Sequence, residues 1–140
     1  MNKARLVKII EDMSESIRQL LKCKDIIETS PKDEKTVFVV YGLKQLFVDF
    51  FITVEDFTSL MLKELGTFKI GIDMRTALET LDEQGVLKED IYLFLQQARM
   101  LRNRISHRYK EPSKEELLDF ISQNSEHFEE VLKIVKSYLI

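Results

Sequence analysis

Between residues 96 and 110 the chain gathers Arg99, Arg102, Arg104, Arg108 and Lys110 with Asn103, His107 and Tyr109, and no acidic residue interrupts them. A histidine can accept and donate a proton near neutral pH, and a guanidinium can hold two phosphate oxygens at once. Together they are the minimum for cutting a phosphodiester in RNA without a metal. The 2′-hydroxyl attacks its own phosphate, His107 serves as general base or acid, and Arg102 stabilises the pentacoordinate charge. DNA, lacking that hydroxyl, is spared. The segment holds no Asp/Glu grouping that would point to a divalent-metal route. A second account needs no chemistry: a basic last turn is favoured by the helix dipole, and an Arg-rich helix end can be solvated surface. Arg102 and His107 form only an R-x-x-x-x-H pattern, so spacing alone leaves both accounts open.

On an ideal helix Asn103 and His107 lie within about 40° of each other, Arg104 and His107 within about 60°, and Arg102 and Tyr109 within about 20°. Arg102 and His107, about 140° apart, converge only if the helix loosens near Ser106 or a second subunit supplies its own copy. Pro112 nearby favours a loosened end. Asn103 and Arg104 are the candidates to support the catalytic pair, and Arg99, Arg108 and Lys110 the further candidates for holding phosphates.

The elements that must position these residues read as helices, because four Gly and two Pro leave few interruptions. Leu6, Ile9, Ile10, Met13, Ile17, Leu20, Leu21 and Ile27 recur at three- and four-residue steps and predict an amphipathic helix over 3–29. A longer apolar pattern from Val37 to Leu65 predicts a second helix over 35–65, apolar on more than one face between Phe47 and Phe57. That helix is either central or shared between the core and a partner subunit. A short helix over 72–84 follows, with Gly66 and Gly85 as terminators. A fourth opens at Lys88-Glu89-Asp90 and leads into the basic segment. Ser113 with Glu116 is a capping box for a last helix that continues to Leu139. The expected architecture is all-α: one domain over 1–140, an up-and-down bundle of about five helices.

The bulk numbers agree with a globular protein: 44% hydrophobic and 32% charged residues in 140. Net charge is −3, so with +5 between residues 96 and 110 the remainder carries −8. Positive charge is concentrated where an anion could use it. One cysteine, Cys23, rules out an internal disulfide framework and no zinc spacing is present, so a cytoplasmic setting is expected, with no metal and no cofactor. The charged N-terminus has neither a signal peptide's apolar core nor a spanning run, and no membrane partner is expected. His127 reads as a surface or boundary histidine, and Glu55-Asp56 as a solvated pair that could alternatively orient the basic patch.

Arg102-Asn103-Arg104-Ile105-Ser106-His107-Arg108-Tyr109 resembles the R-N-x-x-x-H-x-Y signature of HepT-like proteins in the HEPN superfamily. The similarity extends through Lys63-Glu64-Leu65-Gly66 and Leu81-Asp82-Glu83-Gln84-Gly85-Val86-Leu87, covering roughly residues 40 to 138. It implies a HEPN-like helical bundle and a ribonuclease toxin of a type VII toxin–antitoxin pair, whose antitoxin is a minimal nucleotidyltransferase. By the resemblance, Arg102 and His107 are catalytic, Asn103 is the polar residue following the Arg, and Tyr109 receives AMP from the antitoxin. Added phosphates would place negative charge and bulk beside Arg102 and His107. The resemblance further implies a homodimer whose two motifs face one cleft. The second helix is richer in Phe than the family's usual version. Two alternatives remain beside RNA cleavage: a non-catalytic nucleotide- or partner-binding subunit of a nucleotidyltransferase complex, and a scaffold whose basic patch grips an acidic partner.

Overall fold

Asn2 opens the first helix by accepting the Arg5 N–H on its side-chain oxygen at 3.0 Å, and α1 runs over Lys3–Thr29. Its buried positions, Leu6, Ile9, Met13, Ile17, Leu20 and Ile27, form one stripe along α2, Thr36–Glu64. The N-terminal ammonium pairs with Glu64 at 3.1 Å, while the Cys23 thiol donates to the Val39 carbonyl at 3.6 Å. Opposite ends therefore meet, and the two helices run antiparallel. Burial pushes the Cys23 thiol above its ordinary pKa, which suits a small boundary residue rather than a thiolate nucleophile.

The computed structural model describes residues 1–140. After α2, Gly66 takes a φ of 71°, a left-handed conformation that a Cβ would strain, and stops the helix. Asp73 caps α3, Met74–Glu83, by accepting the Thr76 N–H at 2.7 Å. Gly85 at φ 76° ends that unit. Glu89 and Asp90 in the first turn of α4, Glu89–Ile105, complement its dipole. No strand interrupts the helices, so the chain is an all-α bundle.

The C-terminal region departs from the expected single last helix. It divides into α5, Lys114–Gln123, and α6, Ser125–Ser137, making six α-helices rather than about five. Asn124 makes the break. Its side-chain amide donates to the Phe120 carbonyl at 2.9 Å, and its side-chain oxygen faces His127 Nδ1 at 2.8 Å. An Asn bonded locally to the backbone competes with the helix ladder. The capping box at Ser113 is also half formed: Ser113 Oγ accepts the Glu116 N–H at 3.1 Å, but the Glu116 carboxylate is taken by Arg104.

The phenylalanines of the crowded stretch of α2 belong to the subunit's own core. Phe47, Phe50, Phe51, Val54 and Phe57 are all buried, and Phe50 packs on Phe128 of α6 with ring centroids 4.8 Å apart. The helix is apolar on several faces because α1, α3 and α4 pack around it. Those phenylalanines are thus not a face left for a partner subunit. By length and composition α2 could also cross a membrane, but Phe47, Phe50, Phe51 and Phe57 are buried inside the bundle. The large apolar side chains that α2 leaves exposed are Val37, Phe38 and Tyr41 in its first turns and Ile52 in its middle.

Phe94 ties α4 to the C-terminal helices. Its ring stacks on Phe120 at 5.6 Å and 13° and meets Phe128 edge-on at 5.0 Å. On the other side of α4, Arg102 reaches Glu55 of α2, and Ile105 lies across a cleft from Gln45 and Val48. Higher numbers on α4 meet lower numbers on α2, so these helices too run antiparallel. The end of α4 is therefore delivered to the middle of α2.

Candidate active site

The helical ladder of α4 stops at Ile105. Ser106 closes it with an N–H to the Arg102 carbonyl at 3.4 Å, and the His107 N–H drops to the Arg104 carbonyl at 3.1 Å, a tighter three-residue step. His107 is then extended, at φ −114° and ψ 105°, and Arg108–Lys110 forms a single 3-10 turn. The helix end loosens at Ser106, so angles measured around an ideal helix apply to Arg99, Arg102, Asn103 and Arg104 but not to His107 or Tyr109. The seven-residue row expected for Arg102 and Tyr109 does not form as a helix face. His107 and Tyr109 instead share the loop, with ring centroids 6.1 Å apart, and Lys110 Nζ lies 5.7 Å from the Tyr109 ring. Tyr109 is 82% exposed, which leaves its hydroxyl open to another protein.

The four arginines of the segment meet different fates. Arg104 is committed on every side: Nε donates to the Lys110 carbonyl at 2.9 Å, Nη2 donates to Glu116 Oε1 at 2.9 Å, and Nη1 bonds the other oxygen of the same carboxylate. Its partner is held below the usual carboxylate range by that hydrogen bond. Arg104 is thus a brace that fastens the His107–Lys110 loop to α4 and α5. Arg99 donates from Nε to Gln96 at 2.8 Å. Arg108 lies on the α2 side, in a cleft of about 490 Å³ that it shares with Tyr41, Lys44 and Glu111. There Lys44 bonds Glu111 at 2.6 Å.

Arg102 differs from all of these. It faces the α3 side, in a second cleft of about 370 Å³ lined with Arg75, Arg99, Asn103 and Asp73. Its side chain is only 28% exposed, and one contact with a charge is made, from Nη2 to Glu55 Oε1 at 3.3 Å. Its Nε is buried with no hydrogen-bond partner. Buried polar atoms are nearly always bonded, so a guanidinium with one ion pair and a buried donor unspent is an exception among the arginines of the segment. Burial is the main influence on Glu55 and pushes its carboxyl above the ordinary carboxylate range, against the opposing pull of Arg102.

The structure therefore places Arg102 and Asn103 on one cleft, Arg108 on another, and His107, Tyr109 and Lys110 on the exposed loop between the helix end and α5. Arg104 is in the same segment but its donors face Glu116 and Lys110. Sequence spacing could not reveal the three partners from outside the segment, Glu55, Glu116 and Arg75, because no local pattern says which helix packs beside α4. Glu55-Asp56 reads from sequence as a solvated pair or as an orienting carboxylate for the basic patch. In the structure Asp56 sits 4.0 Å from Arg5 and Glu55 turns to Arg102. His127 is a boundary residue as expected, with Nδ1 facing Asn124, Nε2 3.7 Å from Asp90 and the ring 5.3 Å from Phe94.

The brace yields a prediction. Arg104→Ala should leave the global unfolding midpoint near that of the wild type, because the ion pair is at the surface. Amide exchange at Lys110 and Glu111 should quicken, since the loop loses its tie to α5. Unchanged protection at those two amides in a hydrogen-exchange experiment would refute the bracing role.

A family model described as Ribonuclease HepT-like matches residues 10–135. No curated protein and no solved structure matches the chain.

Proposed function

The chain belongs to the HepT-like ribonuclease family, and from that membership and the state of Arg102 we propose that it is a metal-independent endoribonuclease toxin controlled by a nucleotidyltransferase antitoxin. The observation that carries the reading is the uncommitted guanidinium. Where Arg104 engages all three of its guanidinium nitrogens in structure, Arg102 makes one ion pair through Nη2, and its buried Nε has no partner. A phosphate is the ligand that such a fork fits.

In the proposed reaction the 2′-hydroxyl of RNA attacks the adjacent phosphorus. His107 takes its proton, and negative charge grows on the equatorial oxygens of the phosphorane. Arg102, supported by Asn103, stabilises that charge. The bond to the 5′-oxygen breaks, the leaving oxygen gains a proton, and the products end in a 2′,3′-cyclic phosphate and a 5′-hydroxyl. Arg99, Arg108 and Lys110 hold flanking phosphates. A homodimer places two such segments over one RNA, with a second His107 available as the acid.

Control runs through Tyr109. Its exposed hydroxyl attacks the α-phosphorus of ATP held by the transferase, pyrophosphate leaves, and AMP remains on the phenolic oxygen. The new phosphate lies two residues from His107 and competes with RNA for the same cations.

The test is cleavage of a defined RNA in EDTA with the ends mapped. Cyclic phosphate and 5′-hydroxyl ends support the reading. Intact RNA, or activity lost on chelation, overturns it and favours a non-catalytic binding subunit. On co-expression with the transferase, mass should rise by whole AMP units on the peptide carrying Tyr109 and not in Tyr109→Phe.

A further inference from the structure

We propose that Glu55 is the positioning residue for Arg102, a carboxylate on α2 that holds the guanidinium in place for the phosphate while leaving its other donors free. This rests on the ribonuclease reading for its catalytic consequence, though not for the contact itself.

An arginine side chain has many rotamers, and an unanchored one must be ordered at each turnover. Two things anchor this one. Its stem is packed at the end of α4, leaving 28% of the side chain exposed, and Glu55 Oε1 holds Nη2 at 3.3 Å. Only one nitrogen is engaged. A bidentate clamp like that of Glu116 on Arg104 would occupy the edge that a phosphate needs, and Arg102 has no such clamp. Asp56, the neighbouring carboxylate, sits instead 4.0 Å from Arg5. Glu55 itself is costly to keep there: burial disfavours its charged form, and Arg102 is the cation that opposes this. A solvated surface pair would show neither the buried, unbonded Nε nor a carboxylate whose main influence is desolvation.

Loss of the carboxylate removes orientation and also removes a negative charge from beside the phosphate site. The first lowers kcat, and the second keeps KM from rising. Partial unfolding would also lower apparent kcat at unchanged KM by removing active protein, so an unchanged unfolding midpoint in Glu55→Ala is what separates positioning from damage to the fold.

The experiment compares wild type, Glu55→Ala, Glu55→Gln, Arg102→Ala and the Glu55→Ala/Arg102→Ala double variant on one RNA. Glu55→Ala should lose about tenfold in kcat with KM unchanged or lower, roughly the 1.4 kcal/mol that one decade represents. Glu55→Gln, which keeps the shape but not the charge of the ion pair, should fall between wild type and Glu55→Ala. The double variant should be no worse than Arg102→Ala alone. Additive losses, or a wild-type kcat in Glu55→Ala, overturn the proposal. A second readout is independent of cleavage: nitrogen-15 relaxation of the Arg102 Nε–H should report an ordered side chain in wild type and a mobile one in Glu55→Ala. Equal order in the two proteins overturns the positioning role even if RNA is cut, and a difference upholds it even if the nuclease reading fails.

Discussion

Replacing His107 by alanine is expected to slow RNA cleavage by about 10²–10⁴-fold, the usual contribution of a general acid–base group. The fold should survive. His107 is exposed, and its backbone contacts, N–H to the Arg104 carbonyl at 3.1 Å and carbonyl to the Lys110 N–H at 2.9 Å, do not use the side chain. The nearby ring of Tyr109, 6.1 Å away, is itself exposed. The loss should therefore fall on kcat without a change in unfolding midpoint. Arg102→Ala should cost about 10²–10³-fold, the scale seen when one donor to a developing oxyanion is removed. Arg102→Lys should not restore it, because an ammonium cannot reproduce a planar fork that pairs with Glu55 through one nitrogen and binds a phosphate through others. The assay is single-turnover cleavage in EDTA with separately purified proteins. Wild-type rates in His107→Ala would show that the observed nuclease is a contaminant or that another residue moves the proton.

The largest expected effect on stability lies elsewhere, at Phe94. Phe94→Ala should lower the free energy of unfolding by about 3–5 kcal/mol, the range for emptying a buried aromatic site. The ring is 1% exposed and contacts Phe120 and Phe128, so it fastens α4 to both C-terminal helices. No small movement can refill a gap bounded by two other large rings, which places the cost toward the upper end. Urea denaturation followed by circular dichroism would measure it, with an unchanged slope showing that the denatured state is the same. A loss below about 1 kcal/mol would mean that the three rings are not a cooperative unit. At concentrations where the variant remains folded, cleavage should be affected less than by His107→Ala, because Phe94 touches no residue of the basic segment in the aromatic contacts above. That ordering separates the group that supports the scaffold from the group that moves the proton.

Much of this protein was legible in the chain. Apolar residues at helical spacing marked α1 and α2 nearly to their ends, because a helix with one buried stripe must repeat every three or four residues. Gly66 and Gly85 marked helix ends for the same local reason: both adopt a left-handed φ that other residues resist. The chemistry of the basic segment was equally local, since Arg102, Asn103, His107 and Tyr109 sit within eight consecutive positions. Asn124 was not legible, because an Asn is tolerated inside many helices and breaks one only when its side chain finds a carbonyl to bond.

What the tertiary structure alone decided is which cation is free. In sequence Arg102 and Arg104 are two basic residues of one turn. They differ because helix packing puts Glu55 of α2 beside one and Glu116 of α5 beside the other. Glu116 takes both terminal nitrogens of Arg104, the Lys110 carbonyl takes Nε, and the residue becomes structural, while Glu55 pairs with one nitrogen of Arg102 and leaves a donor unspent. The same packing buried Phe47, Phe50, Phe51 and Phe57 of α2 within the subunit rather than against a partner. Periodicity identifies a face that must be covered, but what covers it, and which charge ends beside which, depends on contacts between residues tens of positions apart.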